Sequence, residues 1–179
     1  MSTSFKSAMD RLKGSIRDVP DFPKKGIVFK DITPILTNGQ LFRLAVTIFA
    51  ERYQRKSVER IVAIDARGFI FGGALAHYLG IGLTIVRKKG KLPYKAHAHE
   101  YELEYGQGTL EMHIDGVEKN QRVVIIDDLL ATGGTAEAAA KLVEKCGGEI
   151  VELAFLVELG FLKGRDKLEK YPVFSAITY

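Results

Sequence analysis

Cysteine is almost absent from this sequence. A single one, Cys146, stands among 179 residues, which excludes an internal disulfide and any zinc site built from several cysteines. Apolar runs are short, and none approaches the roughly 18 residues of a membrane-spanning helix. The opening residues, MSTSFKSAMDRLKG, lack the apolar stretch of a secretory signal. Internal repeats and low-complexity segments are missing too. These absences lead to the expectation of a reduced, cytoplasmic protein without a membrane partner. What is present is an ordinary globular composition, 46% hydrophobic and 27% charged, which disfavours a disordered chain. A chain of this length can bury roughly 70% of its unfolded surface, so one domain needs neither disulfides nor a structural metal.

Charge of one sign does not dominate. The 26 Lys and Arg residues against 22 Asp and Glu leave a formal net charge of +4. The tightest basic cluster is Arg87, Lys88, Lys89 and Lys91, with Lys95 just after. On charge alone, a solvated turn, a small phosphorylated ligand and nucleic acid all remain open for it.

Hydrophobic spacing divides the chain. Phe5, Ala8, Met9, Leu12 and Ile16 recur at helical intervals, and so do Leu41, Leu44, Ala45, Ile48 and Phe49 after the turn signal Asn38-Gly39. Between them, residues 19–34 are punctuated by Pro and Gly around a short apolar piece, Ile27-Val28-Phe29. From residue 61 onward, short apolar runs at 61–64, 83–86, 123–126, 151–157 and 173–177 read as buried strands. Residues 69–79 and 135–146 read as helices, ended by Gly80 and by Gly147-Gly148. Buried strands alternating with helices predict an α/β fold with a central, mainly parallel sheet flanked by helices. Residues 100–114 alternate apolar and polar instead, and predict an antiparallel excursion with a turn at 106–108. In such a sheet ligands bind beyond the carboxyl ends of the strands, which directs attention to residues 65–68, 87–91, 127–135 and 158–160.

The strongest motif is VVIIDDLLATGGT, residues 123–135. An apolar strand delivers two adjacent carboxylates, Asp127 and Asp128. A turn of small residues then leads into a helix N-terminus, whose free N–H groups and dipole suit a phosphate monoester. Thr132 and Thr135 add hydroxyl donors. The acids precede that cradle, where the sugar of a sugar phosphate would lie. No Lys follows the glycine pair, so this is not a Walker A loop, and it is not a GxGxxG turn either.

Two acids followed by a small Gly- and Thr-containing loop resemble the hallmark of the type I phosphoribosyltransferases. Four further segments, in family order, are similar to the adenine-specific members of that family: DFPKKGIVFKDITP at 21–34, ARGFIFG at 66–72, RKKGKLP at 87–93 and YELEYG at 101–106. The resemblance implies a single phosphoribosyltransferase domain over residues 1–179. It has a small N-terminal hood at 1–38 and a core at 39–179, with a flexible antiparallel hairpin lid at about 94–114. The implied reaction is transfer of a 5-phosphoribosyl group from phosphoribosyl pyrophosphate to adenine, giving AMP and pyrophosphate. Mg²⁺ would arrive with the substrate and have no direct protein ligand.

Carried over by position, the resemblance gives Ala131, Thr132, Gly133, Gly134 and Thr135 the 5′-phosphate. Asp127 and Asp128 face the ribose. Asp65, Ala66 and Arg67 form the pyrophosphate loop, with a cis bond implied at Asp65-Ala66, while Arg87, Lys88 and Lys91 neutralise the leaving pyrophosphate. Adenine lies against Phe29, with the backbone of Val28 and Lys30 reading its edge and Leu159 on the other side. Glu104 does acid/base work from the lid, which also carries Tyr105. A homodimer is implied, without a nucleic-acid partner. The alternatives are an enzyme for another purine such as xanthine, and a non-catalytic sensor of phosphoribosyl pyrophosphate. Such sensors carry an added winged-helix domain, for which the roughly sixty residues before the first sheet strand leave no room.

Other polar residues read more plainly. His97 and His99 have metal-pair spacing but no third ligand nearby in sequence. His77 and His113 read as surface residues. Cys146 ends a helix with no adjacent His, which argues against nucleophilic catalysis.

Overall fold

A computed structural model describes residues 3–103 and 106–179. The chain divides into two compact units, Met1–Phe49 and Ala50–Tyr179.

The first unit begins with helix α1 (Thr3–Lys13), whose last turn carries Arg11 and Lys13, the favourable sign for a helix C-terminus. Strands β1 (Arg17–Pro20) and β2 (Val28–Asp31) pair antiparallel, with Val19 opposite Phe29. The sequence left residues 19–34 as a punctuated stretch, and the hairpin is the structure's addition. Its connection turns on a positive φ of 57° at Asp21 and a cis Phe22-Pro23 bond. Asp21 Oδ1 accepts from the Gly26 N–H at 2.6 Å. The Phe22 and Phe29 rings meet edge to face at 5.3 Å. Lys30 is tied to Asp18 at 2.6 Å. Asp31 then accepts from the Thr33 N–H and hydroxyl at 2.9 and 2.7 Å, and a short helix α2 (Thr33–Thr37) follows. Asn38 starts helix α3 (Gly39–Tyr53) by accepting from the N–H groups of Gln40 and Leu41.

The second unit is built on a seven-stranded sheet whose strands lie in the order β5 (Ala96–Leu103), β6 (Gly106–His113), β4 (Gly82–Lys88), β3 (Arg60–Ile64), β7 (Arg122–Leu130), β8 (Glu149–Glu158) and β9 (Val173–Thr178). Strands β3, β4, β7, β8 and β9 run parallel. Their central residues, Ile61 to Ile64, Val123 to Ile126 and Leu153 to Val157, are buried on both faces. Helices α4 (Gly68–Leu79) and α5 (Gly134–Cys146) flank the sheet. Ala136, Ala138, Ala139 and Ala140 are all buried, so α5 approaches its neighbours on small side chains. Both helices end on a left-handed glycine, Gly80 and Gly147, as their sequences predict.

Two expectations are corrected. The hairpin strands are β5 (Ala96–Leu103) and β6 (Gly106–His113), paired from Ala96–His113 to Leu103–Gly106. Residues 106–108 are therefore strand rather than turn, and the Tyr101 ring covers Gly108 across the ladder. The hairpin also extends the main sheet, because β6 pairs antiparallel with β4 at Arg87–Glu111 and Lys88–Leu110. The second correction concerns β7, which does not stop before the acidic pair. Asp127 lies opposite Phe155, and Leu129 and Leu130 go on to pair with Val157 and Glu158. The apolar residues after the acids keep the strand in the sheet.

Candidate active site

At the carboxyl ends of β3 and β7, within the second unit, lies a cleft of about 440 Å³. That falls within the range of small-molecule sites. Its walls come from the segments that the sequence singles out. Asp65, Ala66 and Arg67 follow β3; Asp127 and Asp128 lie in the last part of β7; Ala131, Thr132, Gly133 and Thr135 form the turn into α5; and Lys88 ends β4. Gly134 is the first residue of α5.

The Asp65-Ala66 peptide bond is cis, as the resemblance implies. The Asp65 N–H donates to the Val86 carbonyl at 2.9 Å, which ties the loop to β4. Arg67 leaves the same loop and places Nε 2.6 Å from Asp128 Oδ2. Arg87 spans Asp65 Oδ2 and the Lys91 carbonyl, both at 3.2 Å. Glu111 accepts the Gly90 N–H at 2.9 Å and so fixes the basic turn. Of the basic cluster, Lys88 lines the cleft, whereas Arg87 and Lys91 do not. Arg87 is a link between the 65–67 loop and the 88–91 turn.

The two adjacent acids are not equivalent. Asp128 is only 5% exposed and is ion-paired with Arg67. Asp127 Oδ1 accepts the backbone N–H of Asp128 at 2.8 Å. Burial, followed by the neighbouring Asp128 charge, pushes the Asp127 carboxyl well above its ordinary range. The carboxylate floor of the cleft is thus short of positive charge. Across the cleft, Gly133 (φ 83°) starts α5 with no side-chain cap, which leaves the first-turn N–H groups for a ligand. A cradle for an anion therefore lies beside a floor that favours a cation.

The cleft includes residues that the sequence reading did not place there. Tyr101, Leu110, Leu129, Leu130 and Ala136 line it. Tyr101 was legible only as part of the YELEYG segment. Leu110 enters because β6 pairs with β4, a long-range pairing that local pattern does not reveal. Leu159 lies just past β8, and its N–H donates to the Leu130 carbonyl at 2.9 Å, next to the acidic strand. Val28, Phe29 and Lys30 lie on β2 of the first unit. Glu104 and Tyr105 lie outside the described residues. His113 is a correction. It is half buried, and its Nε2 is buried without a hydrogen-bond partner among the described residues. Among those residues no cluster of three His, Cys, Asp or Glu could hold a metal ion. Burial raises the Cys146 thiol pKa.

A phosphoribosyl transferase domain matches residues 32–177. The adenine phosphoribosyltransferase of Methylacidiphilum infernorum is 54% identical over 179 residues, covering 100% of both chains. The chain belongs to the adenine phosphoribosyltransferase family. Solved members of the family share its architecture. The enzyme from Thermoanaerobacter pseudethanolicus superposes with a TM-score of 0.92 at 51% identity, covering 96% of this chain and 99% of the other. The Saccharomyces cerevisiae adenine phosphoribosyltransferase, solved with an imino-altritol bisphosphate and adenine, gives a TM-score of 0.91 at 40% identity, covering 95% and 98%.

Proposed function

We propose that this chain transfers the 5-phosphoribosyl group from phosphoribosyl pyrophosphate to adenine, releasing AMP and pyrophosphate in purine salvage. The observation that carries this reading is the cleft in which an uncapped helix N-terminus stands beside the Asp127–Asp128 floor, with Lys88 and Arg67 on another wall. As the bond from the ribose anomeric carbon to pyrophosphate breaks, positive charge grows on the sugar and negative charge on the leaving group. Preorganised acids near the first and cations near the second lower that barrier. The loop 131–135 holds the 5′-phosphate. Asp127 and Asp128 face the ribose, and Asp65, Ala66, Arg67, Arg87, Lys88 and Lys91 serve the pyrophosphate end, Arg87 by holding the loop in place. A bond then forms to the adenine nitrogen, whose proton leaves toward Glu104 on the lid.

Adenine presents an acceptor N1 beside a donor amino group, which one backbone N–H and one C=O can match. The backbone of Val28 and Lys30 supplies them, with Phe29 and Leu159 against the ring. A hypoxanthine edge reverses the pattern and leaves buried groups unpaired. Mg²⁺ takes oxygen ligands, chiefly phosphates and water with one or two carboxylates. In this reading Mg²⁺ would arrive with the substrate, held by its phosphate oxygens and by water, with no direct protein ligand. When bound it supplies charge neutralisation for the pyrophosphate. The same proposal includes a homodimer, for which exposed Ile70 and Tyr78 on α4 offer apolar surface, and a cytoplasmic setting suited to a free thiol.

The test is incubation with phosphoribosyl pyrophosphate, Mg²⁺ and each purine in turn, following pyrophosphate release. Release with adenine and not with hypoxanthine, guanine or xanthine is expected. Release with xanthine alone, or binding of phosphoribosyl pyrophosphate without turnover on any purine, overturns the reading.

A further inference from the structure

The phosphate loop leans on a segment that touches no substrate in the scheme above. Gly133 adopts a left-handed φ of 83°, and a Cβ there would collide with the Gly164 carbonyl oxygen. The fit is reciprocal. A Cβ at Gly164 would collide with the Ala131 carbonyl oxygen and lie 3.1 Å from the Gly133 nitrogen. Gly164 is buried, and its φ is not in the left-handed region. Space, not conformation, is therefore what demands glycine at 164. Two stretches of bare backbone interlock, and no side chain can intervene.

The next residue anchors this contact. Gly164 and Arg165 open a short 3-10 turn (Gly164–Leu168). Arg165 donates from Nε and Nη2 to the two oxygens of Glu158, at 2.7 and 2.8 Å. It also reaches the Val173 carbonyl at 3.1 Å and Ser175 Oγ at 3.4 Å, both on β9. Glu158 is only 6% exposed. Burial alone would raise its pKa, but the bonds from Arg165 and Ser175 hold it below the usual carboxylate value. In the sheet Glu158 pairs with Leu130, the residue directly before the phosphate loop. A bidentate ion pair thus fixes the 164–165 backbone to the strand end from which the loop departs.

We propose that Gly164, Arg165 and Glu158 form a brace that sets the shape of the 131–135 loop. Gly164 is the contact, and the Arg165–Glu158 pair is its anchor. They are positioning residues for the 5′-phosphate and have no part in the chemistry at the anomeric carbon. The proposal rests on reading the loop as the 5′-phosphate cradle. The brace supplies from outside a rigidity that the loop does not draw from a side-chain cap of α5.

Calorimetric titration of the full chain tests this with two probes. Ribose 5-phosphate engages the loop, and inorganic pyrophosphate does not. In Gly164→Ala and Arg165→Lys the Kd for ribose 5-phosphate should rise about tenfold or more, because a misplacement near 1 Å in a positioning element has effects of that order. The Kd for pyrophosphate should stay within about twofold, and KM for phosphoribosyl pyrophosphate should rise while kcat falls less than about threefold. Failure of the unsubstituted protein to bind ribose 5-phosphate overturns the cradle reading itself. If it binds and both variants bind equally well, the brace is overturned. Equal weakening of both probes also overturns it, since that pattern reports general loosening. Should Gly164→Ala not fold, the Arg165→Lys titrations decide between these outcomes.

Discussion

Two buried acidic sites sit on the adjoining strands β7 and β8, three residues apart along the sheet, or roughly 10 Å. Near the amino end of β8, opposite Val124, Glu152 is 4% exposed and fully answered. Arg52 donates to both of its oxygens at 2.5 and 2.6 Å, the buried Tyr53 hydroxyl donates at 2.7 Å, and Lys56 lies at 3.4 Å. Burial works against its ionisation, yet these bonds hold its pKa below the usual value. Arg52 also stacks over the Phe174 ring at 4.1 Å. Toward the carboxyl end, the acidic pair Asp127 and Asp128 meets Arg67, which is ion-paired with Asp128 at 2.6 Å. The Asp127 carboxyl is driven upward. One site neutralises its acid from several sides and so ties Arg52, Tyr53 and Lys56 to β8. The other leaves an acid under-neutralised, in the part of the cleft where a cationic transition state would form. Buried acids with strongly shifted pKa values cluster at functional sites.

The largest expected effect lies at the under-neutralised site. Asp127→Asn combined with Asp128→Asn keeps size and removes two charges. The single-turnover rate with adenine should fall at least about a hundredfold, roughly 2.7 kcal/mol. Affinity for phosphoribosyl pyrophosphate, read by calorimetry, should hold within about tenfold, or 1.4 kcal/mol. Collapse of affinity with a preserved rate would move the acids to ground-state binding and break the contrast.

At the other site, Glu152→Ala should lower stability by about 2 kcal/mol in urea denaturation, because the Tyr53 hydroxyl loses its acceptor in a buried position. The cost stays at that modest level because Arg52 is 31% exposed and can regain water. Turnover per folded molecule should be unchanged. A large loss of turnover would show that the amino end of the sheet is also functional.

A smaller effect of opposite sign is expected for Asp127→Asn alone. A carboxyl whose pKa is raised by folding contributes stability below its unfolded pKa and loses it as pH rises through the folded value. Above the unfolded value Asp127 is therefore a cost, and the asparagine variant should be more stable at neutral pH by about 1 kcal/mol. Thermal melts at pH 5 and pH 8 should show the gain growing with pH. Glu152 has the reverse linkage. Its pKa is lowered, so its contribution is present above the unfolded value and is lost as pH falls through the folded one. Glu152→Gln should flatten the acid limb of the stability curve, the smallest of these effects.

Much of this site was legible in the sequence because its parts are local. The VVIIDDLLATGGT segment carries strand, acids, turn and helix start in one stretch, and the ARGFIFG segment carries the neighbouring loop. Residues whose role depends on remote partners were not legible in this way. Glu152 looks like a polar interruption in an apolar strand until Arg52 and Tyr53 are brought to it from a hundred residues away. The sequence shows Arg87 as one cation of a basic cluster, and only the structure shows that it bridges Asp65 and the Lys91 carbonyl. Gly106 and Gly108 suggest a turn locally, while pairing with Leu103 and Tyr101 of β5 commits them to a strand.

Hydrophobic periodicity and the local pattern of the DDLLATGGT segment therefore determined the α/β class and the 127–135 wall of the cleft, since both depend on residues within one or two turns of each other. Tertiary structure alone decided which acid is neutralised, and it alone brought Gly164 against Gly133. Those outcomes depend on distances between segments far apart in sequence, where burial removes water and makes each missing or added partner count.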